Sequence, residues 1–169
     1  MEDLKVSHVS NFEITKFACY LDKIYGGLAV KVVKVHNYLG VHLDLLVDKK
    51  VQLSMIPYLN NILHDFPEHL GTMSVSPDVY HMLKVRPKEE AQTLPEEHAV
   101  AFHHVVAQLI FLISISRRDI QTAVAVLTTR VKQLDEGSWS KLKCVLRYLK
   151  GTHGLKINLS VDYFSTVKW

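Results

Sequence analysis

The stretch that most constrains this chain runs from Ala99 to Thr152, AVAFHHVVAQLIFLISISRRDIQTAVAVLTTRVKQLDEGSWSKLKCVLRYLKGT. Three helical patterns follow one another here with short breaks between them. The first spans roughly Pro95 to Ser114 and sets Phe102, Val105, Val106, Leu109, Ile110 and Ile113 on a core-facing side. Thr93-Leu-Pro-Glu96 ahead of it has the spacing of a capping box. Ser116-Arg117-Arg118-Asp119 interrupts the pattern, and Asp119 suits the cap of a second helix from Ile120 to about Gln133. Asp135 to Ser138 reads as a turn. The third helix then runs to Lys150, where Gly151 stops it. Its apolar face is Trp139, Leu142, Val145, Leu146 and Leu149, which leaves Lys141, Lys143, Arg147 and Lys150 largely outside.

The same block is electrostatically lopsided. Between Arg117 and Lys156 stand nine Lys or Arg against three acids, Asp119, Asp135 and Glu136. Residues 1–84 carry eight basic and nine acidic groups, whereas residues 85–169 carry twelve and eight. A net charge of +3 over 169 residues says little, but its placement favours an anionic partner for the second half, nucleic acid being the common case. A solvated basic helix face is the plainer alternative. Lys141, Lys143, Arg147 and Lys150, with His153 and Lys156 beyond, could neutralise phosphates with little sequence preference. Tyr148 could stack on a base, while the spacing of Trp139 fits the core better.

Ahead of this block the chain alternates in character. MEDLKVSHVS reads as a short strand ending in a polar turn, and Ser10 or Asn11 as the cap of a helix reaching Tyr25. Phe12, Phe17, Tyr20, Leu21 and Ile24 could form its apolar face. Gly26-Gly27 stops it. Ala29–Val35, Tyr38–Val47 and Val51–Met55 are rich in β-branched and aromatic residues and read as strands, with Asp48-Lys49-Lys50 as a hairpin turn. A helix from Ile56 or Pro57 to about Phe66 follows, facing the core through Leu59, Ile62 and Leu63. Prolines at 67, 77, 87 and 95 then break any long element. That connection either drapes over the fold or joins two subdomains. Leu155 to Val161 alternates like a strand. The expected class is α+β: a small antiparallel sheet with flanking helices over 1–66, an irregular connection over 67–95, a helical block over 96–152, and a strand with its lead-out over 153–169.

Few chemistries have support. Cys19 and Cys144 lie far apart at helical positions, which predicts free, buried thiols and an intracellular setting. The N-terminus is polar rather than signal-like. The apolar run Val105–Ile115 is about half of the ~20 residues a membrane span needs, so no membrane partner is expected. HExxH, CxxC, GxxxxGKS, GxGxxG and GxSxG are all absent. His98, His103 and His104 do not stack as an i, i+4 metal pair. The clustered acids next to a strand are Glu2 and Asp3, a pairing that some polymerases use to hold divalent ions but that more often marks exposed charge.

Two blocks carry a family resemblance. VVAQLIFLISISRRDIQTAVAVLTTRV followed by SWSKLKCVLRYLKGT resembles the end of the reverse transcriptase region in copia-type LTR retrotransposon polyproteins. Tyr38-Leu39-Gly40-Val41, Leu53-Ser54-Met55-Ile56-Pro57-Tyr58-Leu59 and Ser76-Pro77 match further points upstream. Arg118 stands where the family has proline, and Cys144 where a basic residue is usual. Met1-Glu2-Asp3 stands at the family's YVDD-type turn, with Asp3 on the second aspartate, Glu2 on the first, and the tyrosine absent.

The resemblance implies a partial palm, thumb-like helices and a connection toward an RNase H domain. It implies Mg2+ as the cofactor of the intact family, with Glu2 and Asp3 as remnant catalytic positions. The primer–template duplex, DNA or RNA, would be the partner, gripped by Lys141, Lys143, Arg147, Lys150 and Lys156. Palm, fingers and RNase H portions would lie outside this chain. The implied activity is a truncated RNA-directed DNA polymerase, inactive as this fragment, in the cytoplasm or nucleus. A helical protein-interaction or nonspecific nucleic-acid-binding module is the alternative.

Overall fold

The computed structural model describes residues 4–46, 50–77, 82–83, 94–131 and 134–160. Its elements are α1 (Asn11–Tyr25), β1 (Val35–Tyr38), β2 (Val41–Leu45), β3 (Lys50–Ser54), α2 (Ile56–Asp65) and α3 (Glu96–Ile115). A one-turn 3-10 helix (Arg118–Ile120), α4 (Gln121–Arg130), α5 (Glu136–Gly151) and β4 (Ile157–Ser160) follow. The expected α+β class is what forms. All strands join one antiparallel sheet in the order β1-β2-β3-β4.

The sheet is built by alternation. Pairings Tyr38↔Val41, His36↔Leu43, Leu43↔Leu53 and Leu53↔Ile157 place these side chains on one face. Val41 is buried there, and Leu43 and Leu53 pack against the core. Asn37, His42, Gln52 and Asn158 occupy the other face. Two side-chain bonds run across it: His42 Nδ1 with Asn37 Oδ1 at 2.7 Å, and Gln52 Nε2 donating to Asn158 Oδ1 at 2.9 Å. This is the one-sided burial typical of antiparallel sheets.

The helical block packs around α3. Phe102, Val105, Val106, Leu109 and Leu112 of that helix are buried against Leu59 and Ile62 of α2, Ala123, Val124 and Leu127 of α4, and the inner face of α5. The expected stripes of α2 and α5 are thus the observed ones. On α3 the stripe is rotated slightly: Leu112 is buried, while Ile110 is 49% exposed. The helix is longer than its densest apolar run suggests. At 20 residues, with a mean hydropathy of 1.7 over its most apolar 18-residue window, it is long and apolar enough to cross a membrane. Its buried stripe is the centre of the core.

Several local expectations are corrected. Residues 4–10 are irregular rather than a strand, since no partner strand lies beside them among the described residues. Residues 29–34 also form no strand; the first begins at Val35. Tyr38–Val47 is not one strand, because Leu39 and Gly40 turn the chain between β1 and β2 with φ of 49° and 77°. Two successive positive φ values are the signature of a type I′ hairpin. The helix expected from Ile120 to Gln133 opens as the 3-10 turn and ends at Arg130. α5 begins at Glu136, the second residue of the expected turn, because Asp135 caps it: its Oδ1 accepts from Ser138 N at 2.6 Å and Ser138 Oγ at 2.7 Å. Helix α1 forms with its expected bounds, yet none of its residues is buried, and Cys19 is exposed rather than buried. The expected capping residue Thr93 and the Asp48-Lys49 turn lie outside the described residues.

Leu39 is a poor choice for its position. It is 65% exposed and held at positive φ, where an L side chain costs about 1–2 kcal/mol. Asparagine ahead of Gly40 gives the preferred type I′ pair. Leu39→Asn is expected to stabilise the fold by about 0.5–1 kcal/mol, read as a higher urea midpoint with an unchanged m-value.

Candidate nucleic-acid interface

α5 carries most of the cations the sequence singles out, so the faces they occupy decide what they do. The first face is the core stripe. The second runs through Trp139, Lys143, Arg147 and Gly151, four residues apart and therefore one above another. Residues 66–76 lie along this second stripe as an irregular strap. Glu68 receives the Trp139 indole N–H on Oε1 at 2.7 Å and Lys143 Nζ on Oε2 at 2.9 Å. Arg147 Nε donates to the Leu70 carbonyl at 2.5 Å. Cys144 Sγ sits 3.6 Å from Ser74 Oγ. At Gly151 the Met73 side chain lies so close that an added Cβ would approach it to 3.3 Å. Trp139 is stacked between two rings, Phe66 at 5.1 Å and His98 at 4.6 Å between centroids. The long connection thus drapes over α5 where it is described.

Lys143 and Arg147 are not on a solvent face; they are half-buried and hold the strap. Lys143 is neutralised there by Glu68. Lys141 is half-buried and has its own interaction. Lys150 is half-buried, with no side-chain partner among the described residues. Lys156 is exposed, and its Nζ donates to the neutral Gln52 Oε1 at 3.0 Å, with no carboxylate beside it among the described residues. Arg118 is fully available at the surface, a cation that the sequence comparison treats only as a replaced proline. It opens the 3-10 turn, a place where proline fits without losing a helical hydrogen bond. Trp139 is buried, which removes it as a base-stacking platform.

The structure also shows a cluster that sequence reasoning missed. Arg117 is 4% exposed. Its Nε and Nη2 donate to the two carboxylate oxygens of Asp119 at 2.9 and 2.7 Å. Nη1 reaches the Thr152 carbonyl at 3.0 Å and Nη2 reaches Thr152 Oγ1 at 2.6 Å. Tyr148 donates its hydroxyl to Asp119 Oδ2 at 2.9 Å, and the guanidinium lies 5.6 Å from the Tyr148 ring centroid. Asp119 therefore does not cap α4; its carboxylate is taken by this clasp. The clasp joins the RRDI turn to the RYLKGT end of α5, the two blocks on which the family resemblance rests.

Two carboxyl groups are shifted by these contacts. Hydrogen bonds from Lys143 and then Trp139 hold Glu68 below its ordinary value, against a smaller opposing effect of burial. Burial pushes Asp119 up, but the Arg117 and Tyr148 hydrogen bonds together outweigh it and hold the group down. Burial first, and Asp119 second, raise the Tyr148 hydroxyl.

Glu2 and Asp3, the expected metal-holding remnants, lie outside the described residues. Among the described residues no group of three His, Cys, Asp or Glu is placed to hold a metal ion. No family model matches the chain, and no solved structure matches it.

Removing Arg117 leaves Asp119 with the Tyr148 hydroxyl alone of its clasp donors and takes the guanidinium from two acceptors of Thr152. Arg117→Ala is expected to cost about 3 kcal/mol of unfolding free energy, and Arg117→Lys to recover less than half of that, because an ammonium cannot reproduce the fork. Urea titration reads both. Glu68 and Asp119 have folded values below their ordinary 4.5 and 3.8. Their contribution is complete above those ordinary values and lost as pH falls through the lowered ones. Glu68→Gln should therefore flatten the acid limb of the stability curve below the ordinary Glu value of 4.5.

Proposed function

We propose that this chain derives from the reverse transcriptase region of a copia-type retrotransposon polyprotein. In this reading it contacts a nucleic-acid duplex near the end of α5 and does not polymerise by itself. The observation that carries the reading is the Arg117 clasp. The two blocks that resemble the family, RRDI and RYLKGT, are one spatial unit here, closed by a buried fork that accounts for Arg117, Asp119, Tyr148 and Thr152 together. The free thiols agree with the intracellular setting of such a protein.

Contact with the duplex would fall to cations near that unit. Arg118 sits inside the clasped turn, Lys150 lies two residues before Thr152, and Lys156 lies four residues after it. None of the three has a carboxylate partner among the described residues. Lys143 and Arg147 act at one remove, by holding the strap against α5. With about three phosphates neutralised, log K should fall with log salt at a slope near −3.

The test is binding of a DNA–RNA hybrid by fluorescence anisotropy across a salt series. Arg118→Glu with Lys150→Glu should weaken binding and shallow the slope by roughly two, leaving the urea midpoint in place. A salt-independent affinity, or no response to the pair, would sink the duplex reading and leave the protein-interaction module. Magnesium-dependent primer extension on an RNA template should yield no product.

A further inference from the structure

α1 is amphipathic by sequence, yet none of its side chains is fully buried among the described residues: Ile14, Ala18 and Leu21 are half-buried and the rest of the helix is exposed. Phe17 is 42% exposed, Tyr20 60%, Ile24 53% and Tyr25 74%, and the apolar chain continues beyond the helix with Val30 at 60% and Val32 at 84%. With a typical ~150–250 Å² per aromatic side chain, this segment leaves on the order of 1,000 Å² of apolar surface in water. Monomers ordinarily expose patches of only about 300–600 Å².

We propose that α1 is the interface of a two-fold dimer of this chain, formed by antiparallel pairing with α1 of a second copy. Three observations select a second copy. The area available matches the ~800 Å² per partner of a standard interface. The stripe Ile14, Phe17, Leu21, Ile24 is palindromic about Cys19, so in antiparallel register Ile14 meets Ile24 and Phe17 meets Leu21 of the partner. Its spacing of three and four residues is that of a coiled-coil seam. The helix also carries two acids, Glu13 and Asp22, and two bases, Lys16 and Lys23, so no charge opposes self-association. In the same register the small Ala18 falls level with the large Tyr20 of the partner, which leaves room for close approach. Cys19 lies on the opposite side of the helix from Leu21 and stays outside the seam.

This interface is independent of the duplex reading: it uses α1, whereas the cations lie around the end of α5. The test is sedimentation equilibrium of the full chain over low to high micromolar concentration. The expected result is a reversible monomer–dimer equilibrium. Phe17→Asp with Ile24→Asp should weaken it by roughly a hundredfold, as loss of an interface hot spot does. The thermal melt should stay in place, because α1 contributes nothing to the core. For the register, Ile14→Cys and Ile24→Cys chains, each also carrying Cys19→Ser and Cys144→Ser, should form a disulfide-linked pair when mixed and little when alone. A monomer throughout the range overturns the proposal. So does a dimer that survives Phe17→Asp with Ile24→Asp, open-ended assembly without a two-body limit, or equal cross-linking of either cysteine chain with itself.

Discussion

A single buried guanidinium organises the helical half of this protein. Arg117 interrupts the helical run, and among the described residues it is the charged side chain that the fold buries, at 4% exposed. A buried cation is tolerable only when its donors are used, and here four donations go to Asp119 and Thr152. The consequence is geometric. The turn after α3 is pinned to the end of α5, so the two helices cannot slide past one another. α4 is held between these anchors, with Leu127 fully buried. Asp119 looks like a helix cap because it precedes a helical pattern. It instead accepts from Arg117 and Tyr148, and the 3-10 turn tightens the helix start in its place.

α5 shows how one helix can serve two packing partners. Its core stripe is purely apolar. The neighbouring stripe is mixed, and its polarity is matched to an irregular strap that offers a carboxylate and a carbonyl. Irregular chain cannot satisfy its own backbone, so it needs long side chains to reach it. Lys143 and Arg147 have that reach, and their alkyl stems cover apolar surface on the way. Much of the apparent basicity of this helix is therefore internal structure. What remains outward is a smaller set, with Arg118 added to it.

The parts legible in the sequence are those that rest on period. The inner faces of α2 and α5 follow from apolar spacing, and both are found where that spacing puts them. The bounds of α1 follow from Ser10 and Gly26. Three things were not legible. The Leu39–Gly40 turn was hidden because leucine is a rare occupant of positive φ, which leaves an apparently continuous β-rich run. The segment 29–34 has strand composition, but among the described residues its sheet contact is the Lys34 carbonyl, which accepts from Leu45 N at 2.9 Å, and composition does not supply a partner for the rest. The strap contacts were hidden because Glu68 meets Lys143 across a gap of 75 residues, and no local pattern encodes such a pairing. For the basic residues, charge was readable but commitment was not: Lys143 and Lys150 look alike on a helical wheel, and among the described residues only Lys143 has a carboxylate beside it.

The sheet closes last in the chain. β4 pairs with β3 across roughly the whole helical block, and Gln52 bonds Asn158 over a separation of 106 residues. During synthesis β1 to β3 can form early, because their links are short. The outer edge of β3 then stays bare until α3, α4 and α5 have been made and folded back. A bare edge is a template for foreign strands, and long-range pairing is slow to form. The helical block thus sets the waiting time of the sheet. Any change that delays the docking of α5 lengthens the period in which Val51 and Leu53 offer an open edge.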